Sequence, residues 1–323
     1  SNLTFLNLRH NELTSLSLPE RLPNLASLDL CSNQLASLSF PEKLPNLTSL
    51  GLSENQLTHL SLPDNLPSLI WLELSDNLLA NLTLPKDLPS LSFLCVKENR
   101  LTEFELPDGL ANLTYLGVRN NHLANVTLPA GLSKLTSLDL SENQLTHLTL
   151  PNDLTDLCYL YLNNNRLASL TLPEELPKLN QLNLKENQLA SLNLPDELTN
   201  LTQLNLRNNQ LTSLNLPDGL TNLTVLDLYN NRLRTLIIPN NLTNLTALDI
   251  SQNGLTSVTL PELSSLVNLG LFGNQLTTVT LPEGLSDLTG LNVSRNPLLT
   301  NLYVPESLRS RVLSRMLLIN GAK

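Results

Sequence analysis

Leucine recurs along this chain in a fixed cadence: the motif LxxLxL, a short polar stretch, then a second LxxLxL closed by proline. Leu69, Leu72 and Leu74 form one such group, and Leu79, Leu82 and Leu84, followed by Pro85, form the next. Between the two halves stands an asparagine, which returns at positions 11, 33, 55, 77, 99, 121, 143, 165, 187, 209, 231, 253, 274 and 296. The step is 22 residues throughout except for a single step of 21. The unit is therefore nested, ten residues followed by twelve, and the chain holds about fourteen of them.

Alternation within LxL turns two leucines inward and leaves the residue between them outward, which is the period of a β-strand. Each first half is thus predicted to supply one short parallel strand. The asparagine then turns the chain. Its amide can satisfy buried backbone groups of adjacent coils, where an unpaired group would cost about 1–3 kcal/mol. Stacked, these side chains predict an asparagine ladder. The second half ends at a proline, which lacks a backbone donor and blocks helix continuation, so a short strand or extended turn is expected there rather than a helix. Strands stack about 4.8 Å apart whereas helices need roughly 10 Å, so a convex side without helices predicts low curvature.

The cadence slips twice. Around Pro261-Glu262-Leu263 one residue is missing, and around Leu298-Leu299 one is added, both expected to be absorbed in turns. After Pro305 the pattern changes: Leu308, Val312, Leu313, Met316 and Leu317 share a helical face, with Arg309, Arg311 and Arg315 elsewhere. This predicts one domain over 1–305 and a capping helix and tail over 306–323, although the same helix could lead into a further domain. At the other end the chain opens inside a repeat, at Ser1-Asn2-Leu3, without a polar cap. An uncapped stack exposes its first leucine layer, so a segment upstream is expected.

Composition narrows the function classes. A net charge of −10 argues against nucleic acid, whose phosphates need clustered Lys and Arg. No apolar run reaches membrane-spanning length. Cys31, Cys95 and Cys158 are odd in number and far apart, giving neither a disulfide framework nor metal-ligand spacing. That usage fits a bacterial or reducing environment better than a disulfide-capped extracellular one.

With LxxLxLxxNxL in every unit, the chain resembles bacterial leucine-rich-repeat proteins, and in particular the subclass with nested, irreko-like halves. The likeness runs from residue 3 to about 305. Its units are longer than those of the type-III effector group, and the ligase domain of that group and the cysteine caps of eukaryotic extracellular members are both missing. The resemblance implies a right-handed solenoid, mostly β by content, with a parallel sheet on its concave face and a role in binding rather than catalysis.

In such a solenoid the outward residues of the strands are not fixed by packing and are free to encode a partner. The residue before the second leucine of each strand is Trp71, Phe93 and Tyr115 in consecutive repeats, and Tyr159 further on. Tyr161 occupies the next outward position, Tyr229 and Phe272 the one after. Eight of the eleven aromatics fall in outward columns that hold about four of every 22 residues, where chance would place about two. Exposed Trp and Tyr concentrate binding energy, often about 2 kcal/mol or more each on truncation. Aromatic pairing along the sheet alone would contribute a few tenths to about 1 kcal/mol. Glu73, Asp76, Lys97, Glu98 and Arg119 surround the rings and predict a mixed-charge rim. A protein partner is the expectation, held by Trp71, Glu73, Asp76, Phe93, Lys97, Tyr115, Arg119, Tyr159 and Tyr161. A glycan could stack on the same rings, and the chain could instead be the targeting arm of a larger enzyme. Toward the C-terminal end the same columns turn to Asn163, Asn164, Asn183, Asn205 and Asn208, which reads as a solvated face.

Neither a catalytic constellation nor a cofactor motif is expected. His10, His59, His122 and His147 occupy different columns or distant repeats; His59 and His147 are four coils apart, roughly 19 Å. No base reaches a nucleophile across that gap. Cys95, beside the aromatics, is expected to be an ordinary surface thiol. The Asn-Leu-Thr triplets at Asn46, Asn81, Asn112, Asn200 and Asn222 match the glycosylation pattern but follow from the repeat itself. The hydroxyl ladder typified by Ser169 and Thr171 invites ice binding, and Glu103, Glu105, His59 and His147 interrupt it.

Overall fold

The computed structural model describes residues 2–308. The chain divides into two compact units, Ser1–Arg166 and Leu167–Lys323. The first contributes eight short strands: β1 Phe5–Asn7, β2 Ser27–Asp29, β3 Ser49–Gly51, β4 Trp71–Glu73, β5 Phe93–Cys95, β6 Tyr115–Gly117, β7 Ser137–Asp139 and β8 Tyr159–Tyr161. They pair in chain order, all parallel, each residue lying beside the one 22 positions on, as Leu50 lies beside Leu72. The second unit repeats the scheme in β9 Gln181–Asn183, β10 Gln203–Asn205, β11 Val225–Asp227, β12 Ala247–Asp249, β13 Asn268–Gly270 and β15 Gly290–Asn292. Both units are therefore parallel-sheet solenoids built of leucine-rich coils, as the cadence predicts.

The inward leucines make the core. In the coil of β4, Leu69, Leu72, Leu74 and Leu79 are fully buried and Leu82, Leu84 and Leu88 nearly so. Burying a leucine stabilises by roughly 1.5–3 kcal/mol, and the same layer recurs in every coil.

The asparagine ladder forms as expected. Asn77 Nδ2 donates to the carbonyls of Leu52, Leu74 and Ser75 at 2.9, 3.1 and 3.1 Å, while its Oδ1 accepts the Leu57 amide at 3.0 Å. One side chain thus ties two coils together and leaves no polar atom of its own unpaired in the core. The residue before each ladder asparagine is left-handed, with φ between 52° and 57° at thirteen non-glycine positions and 65° at Gly273. That conformation swings the chain out of the strand, and the sequence does not advertise it, because Glu54, Glu98 and Glu142 are not typical of it.

The second halves are extended, as the prolines require. Single parallel bridges join Ser61 to Thr83, Glu105 to Thr127 and Thr127 to Thr149. In the second unit the same side forms a full pair, β14 Thr278–Thr280 with β16 Asn301–Tyr303. The missing residue near Pro261 shortens the β12 to β13 step to 21, and the added one lengthens β14 to β16 to 23. The added residue sits in the turn after Asn296, where Leu298 is half exposed, and neither slip disturbs strand pairing. Glu306–Leu308 close the described chain in a helical turn. The helix expected over 306–323 otherwise lies outside the described residues.

Candidate functional site

All nine residues singled out in the sequence fall in the first unit, on or just after β4, β5, β6 and β8. Parallel pairing without offset sets Trp71 beside Phe93 and Phe93 beside Tyr115. Strand spacing is also a stacking distance, so the three rings pile up. Centroids are 5.4 Å apart for Trp71 and Phe93 and 4.6 Å for Phe93 and Tyr115, with planes inclined by 18° and 9°. Phe93 is covered on both faces, and the pile presents ring edges outward.

Tyr159 and Tyr161 form a second stack, 6.4 Å and 11°, along one strand. Ser137 of β7 stands between Tyr115 and Tyr159, so the aromatic stretch expected as one cluster is two.

Lys97, expected on a mixed-charge rim, folds inward. Its ammonium lies 3.0 Å from Asp139 Oδ2 and 5.4 Å above the Tyr115 ring. Gly117 makes this possible: a Cβ there would come within 2.7 Å of Lys97 Cε and 2.8 Å of the Tyr115 hydroxyl. Burial, the largest influence, opposes the charge. Hydrogen bonds to Tyr115 and Asp139 outweigh it, so the Lys97 pKa rises above the ordinary lysine value. Asp139, its side chain only 10% exposed, is held in turn by the Ser141 amide and hydroxyl at 3.2 and 2.6 Å. Sequence reasoning missed Asp139. The available signal was an aspartate in an outward strand column two coils after a lysine.

Arg119 is also engaged, with Glu142 at 2.7 Å on the exposed rim. Glu73 accepts the Ser75 amide at 2.9 Å. Asp76 is exposed and left-handed; burial first, then the charges of Glu98 and Glu54, raise its pKa. Asn120 donates to Glu98 across the next coil. Burial, and to a smaller degree Tyr159 and Asp139, push the Tyr161 hydroxyl upward too. Cys95 corrects the expectation of a surface thiol. It is 5% exposed, 3.1 Å from Ser75 Oγ, and burial raises its pKa, because neighbouring side chains close over this narrow outward position. Among the described residues no helix is long and apolar enough to cross a membrane.

The sequence matches the BspA type leucine rich repeat region over residues 74–188, 139–253 and 206–310, and the Leucine Rich repeats model over 1–40 and 23–64. No curated protein matches it. Among solved structures it is 33% identical to YopM of Yersinia pestis, a leucine-rich effector protein, covering 92% of this chain and 79% of that one with a TM-score of 0.69. The leucine-rich-repeat protein LIC12759 of Leptospira interrogans is 30% identical, over 94% of this chain and 84% of that one, at a TM-score of 0.68. A chain of an octameric complex of Latrophilin 3, Unc5D and the leucine-rich-repeat part of FLRT2 is 26% identical, over 76% and 81%, at 0.57. Fold and relatives alike are those of protein-interaction modules. With the repeat models spanning nearly the whole described chain and bacterial proteins among the structures it resembles, this protein belongs to the bacterial leucine-rich-repeat family.

Proposed function

We propose that this chain docks a protein partner on the outward face of the sheet in its first unit, around Trp71, Phe93 and Tyr115, with Tyr159 and Tyr161 as a second contact. The observation that carries the reading is the stack itself: three large rings on adjacent strands, partly exposed, on a side of the sheet where the leucine core has no use for them. Lys97, Asp139 and Gly117 brace its Tyr115 end, so the surface is pre-organised and little ordering entropy is lost on binding. Glu73, Asp76 and Arg119 form the polar rim. The FLRT2 complex shows a similar chain in association with other proteins.

A glycan is a weaker match, because sugars stack on ring faces and most faces here are turned to one another. A chain serving as the targeting arm of an enzyme would use this same surface.

The test selects peptides against the wild-type protein from a random displayed library and measures them on Trp71→Ala with Tyr115→Ala. Two hot-spot rings at about 2 kcal/mol each imply a loss of several hundredfold or more. The melting temperature should move by no more than a degree or two. Peptides that bind the double variant unchanged, or a fall in stability as large as the loss of binding, would reduce the stack to a structural ladder. A glycan array giving defined hits while the peptide selection yields none would favour the sugar.

A further inference from the structure

The two ends of the ring stack are built from similar ingredients, and among the described residues only one of them is supplied with a cation by the chain. At the Tyr115 end stand an aromatic ring, the glycine floor of Gly117 and, one strand beyond it, Asp139; Lys97 places its ammonium among them. At the Trp71 end stand the indole, the glycine floor of Gly51 and, one strand beyond it, Asp29. The point where a Cβ on Gly51 would sit is 2.8 Å from Cys31 Sγ, 3.2 Å from Asp29 Oδ1 and 3.4 Å from Trp71 Cζ3. A neutral thiol thus fills the space over this glycine, as Lys97 does over Gly117, with carboxylate and ring edge beside it. Phe93 covers one face of the indole, and on the other side Trp71 pairs with Ser49 of β3, the strand that pairs with Asp29 through Gly51.

The position that carries Lys97 and Arg119 in their coils is Ser75 in the coil of Trp71 and Ser53 and Cys31 in the two before it, with Arg9 in the coil before those. Among the described residues no ion pair reaches Asp29, Glu54, Glu73 or Asp76. Their polar partners are uncharged: the Cys31 amide on Asp29, the Ser32 hydroxyl on Glu54 and the Ser75 amide on Glu73. Of the cations in this column, Lys97 and Arg119 are committed to Asp139 and Glu142, and Arg9 donates to His10 Nε2 at 3.2 Å. The surface therefore holds excess negative charge at one end of an aromatic slab, on a chain whose net charge is −10.

We infer that the Trp71 end of the stack receives an arginine side chain from the docked protein partner, its guanidinium lying against the exposed part of the indole, within reach of the carboxylates of Asp29 and Glu73. The inference rests on the docking face proposed above and specifies the chemistry of the segment that occupies it. A guanidinium suits the place better than an ammonium, because it stacks flat on an indole and still presents a fork of donors to carboxylates. Glu54 and Asp76 extend the acidic run and meet further basic residues of the same segment. Burial first, and then the charges of Glu98 and Glu54, weaken the acidity of Asp76, and the repulsive part is relieved when a cation arrives.

Trp71 is the single tryptophan of the chain, so its emission reports this site alone. The experiment titrates the full chain with a short peptide of alternating alanine and arginine, and in parallel with the same peptide carrying citrulline, the neutral isostere of arginine. The arginine peptide is expected to change Trp71 emission saturably, with citrulline at least about tenfold weaker. Asp29→Asn with Asp76→Asn, which retain oxygen acceptors, should weaken the arginine peptide about five- to tenfold. Glu42→Gln with Asp64→Asn, in the turns after the prolines, should alter it less than about twofold and so control for diffuse attraction to an acidic protein. Thermal melts keep the fold in view, and Asp76→Asn alone, at an exposed site, serves if the pair is damaged. Equal responses to citrulline and arginine, no response at all, or equal weakening by the turn variants would overturn the cation site. If library-selected peptides still depend on Trp71 and Tyr115 in that event, the docking face stands and only its chemistry is wrong; if they do not, both fall.

Discussion

The outward sheet faces of the two units are built on one backbone and finished differently. In the first, Trp71, Phe93 and Tyr115 stack on one another, and the nearby cations are tied to Asp139 and Glu142. In the second, the two aromatics that follow β11 and β13 are each faced by an arginine of the chain itself: Arg207 lies 3.9 Å over Tyr229 and also 3.7 Å from Asp227, and Arg295 lies 5.4 Å over Phe272. Its strand columns are otherwise Gln181, Gln203, Val225, Ala247, Asn268 and Gly290. On this face the rings of the second unit, Tyr229 and Phe272, have their cations at home, whereas the first leaves an indole and several carboxylates without them. An aromatic on a solenoid face is thus informative only together with what its neighbours have already satisfied.

This contrast holds only if the frameworks beneath the two faces are equivalent, and the ladder tests that with the largest effect. Asn99 donates to the carbonyls of Leu74 and Lys97 at 3.0 Å each and accepts the Leu79 amide at 3.0 Å. Asn231 repeats this with Leu206, Leu228 and the Leu211 amide at 2.9, 3.1 and 3.0 Å. Replacing either by alanine strands several buried backbone groups, so each variant should lose about 3 kcal/mol or more in urea unfolding. The two losses should agree within about 1 kcal/mol. A mild effect in one unit and a severe one in the other would mean that the faces cannot be compared position by position.

The next effect separates the braced end of the stack from its rim. Lys97→Ala leaves Asp139, a largely buried carboxylate, without its cation, and should cost about 2 kcal/mol, less than a fully buried pair because the lysine remains partly exposed. Arg119→Ala breaks an exposed pair and should cost at most about 0.5 kcal/mol. The folded-state pKa of Lys97 lies above the ordinary one. Its stabilisation is therefore complete below the unfolded value, about 10.4, and is lost only as pH rises through the higher folded one. Melting curves of wild type and Lys97→Ala should stay a constant distance apart from neutrality to about pH 10. A gap that closes below that pH would show that the pair does not hold the stack.

Much of this was open to reading along the chain. A 22-residue period with two leucine alternations admits little besides short strands stacked in parallel, and an asparagine at every turn has few uses other than the ladder. Alternation also told which aromatics point outward, since Trp71, Phe93 and Tyr115 share one column. What stayed hidden depends on distances across coils. Lys97 finds Asp139 diagonally, two strands on, and only because Gly117 leaves room; no spacing rule along one coil announces that partner. Cys95 points outward by alternation and is buried by its neighbours, which a column reading treats as open. The break at Ser137, which divides the aromatics into two stacks, could have been read from the same column that suggested one.

The smallest effect bears directly on whether the acidic run around Trp71 is strained by its own charge. Asp76→Asn removes one carboxylate between Glu54 and Glu98, and should raise stability at neutral pH by a few tenths of a kcal/mol, the size left to an exposed charge after solvent screening. Asparagine also suits the left-handed backbone at this position, where φ is 56°, so a gain alone would not identify the cause. The pH dependence does. The pKa of Asp76 is raised by burial and by its two acidic neighbours, so its carboxylate disfavours the fold above that pKa and the penalty disappears as the group protonates. The advantage of Asp76→Asn should accordingly shrink as pH is lowered from 7 toward about 4, where carboxylates titrate. A conformational preference for asparagine would persist unchanged over that range. A gain that does not shrink would assign the effect to the turn, and would remove from the first unit the charge frustration that distinguishes it from the second.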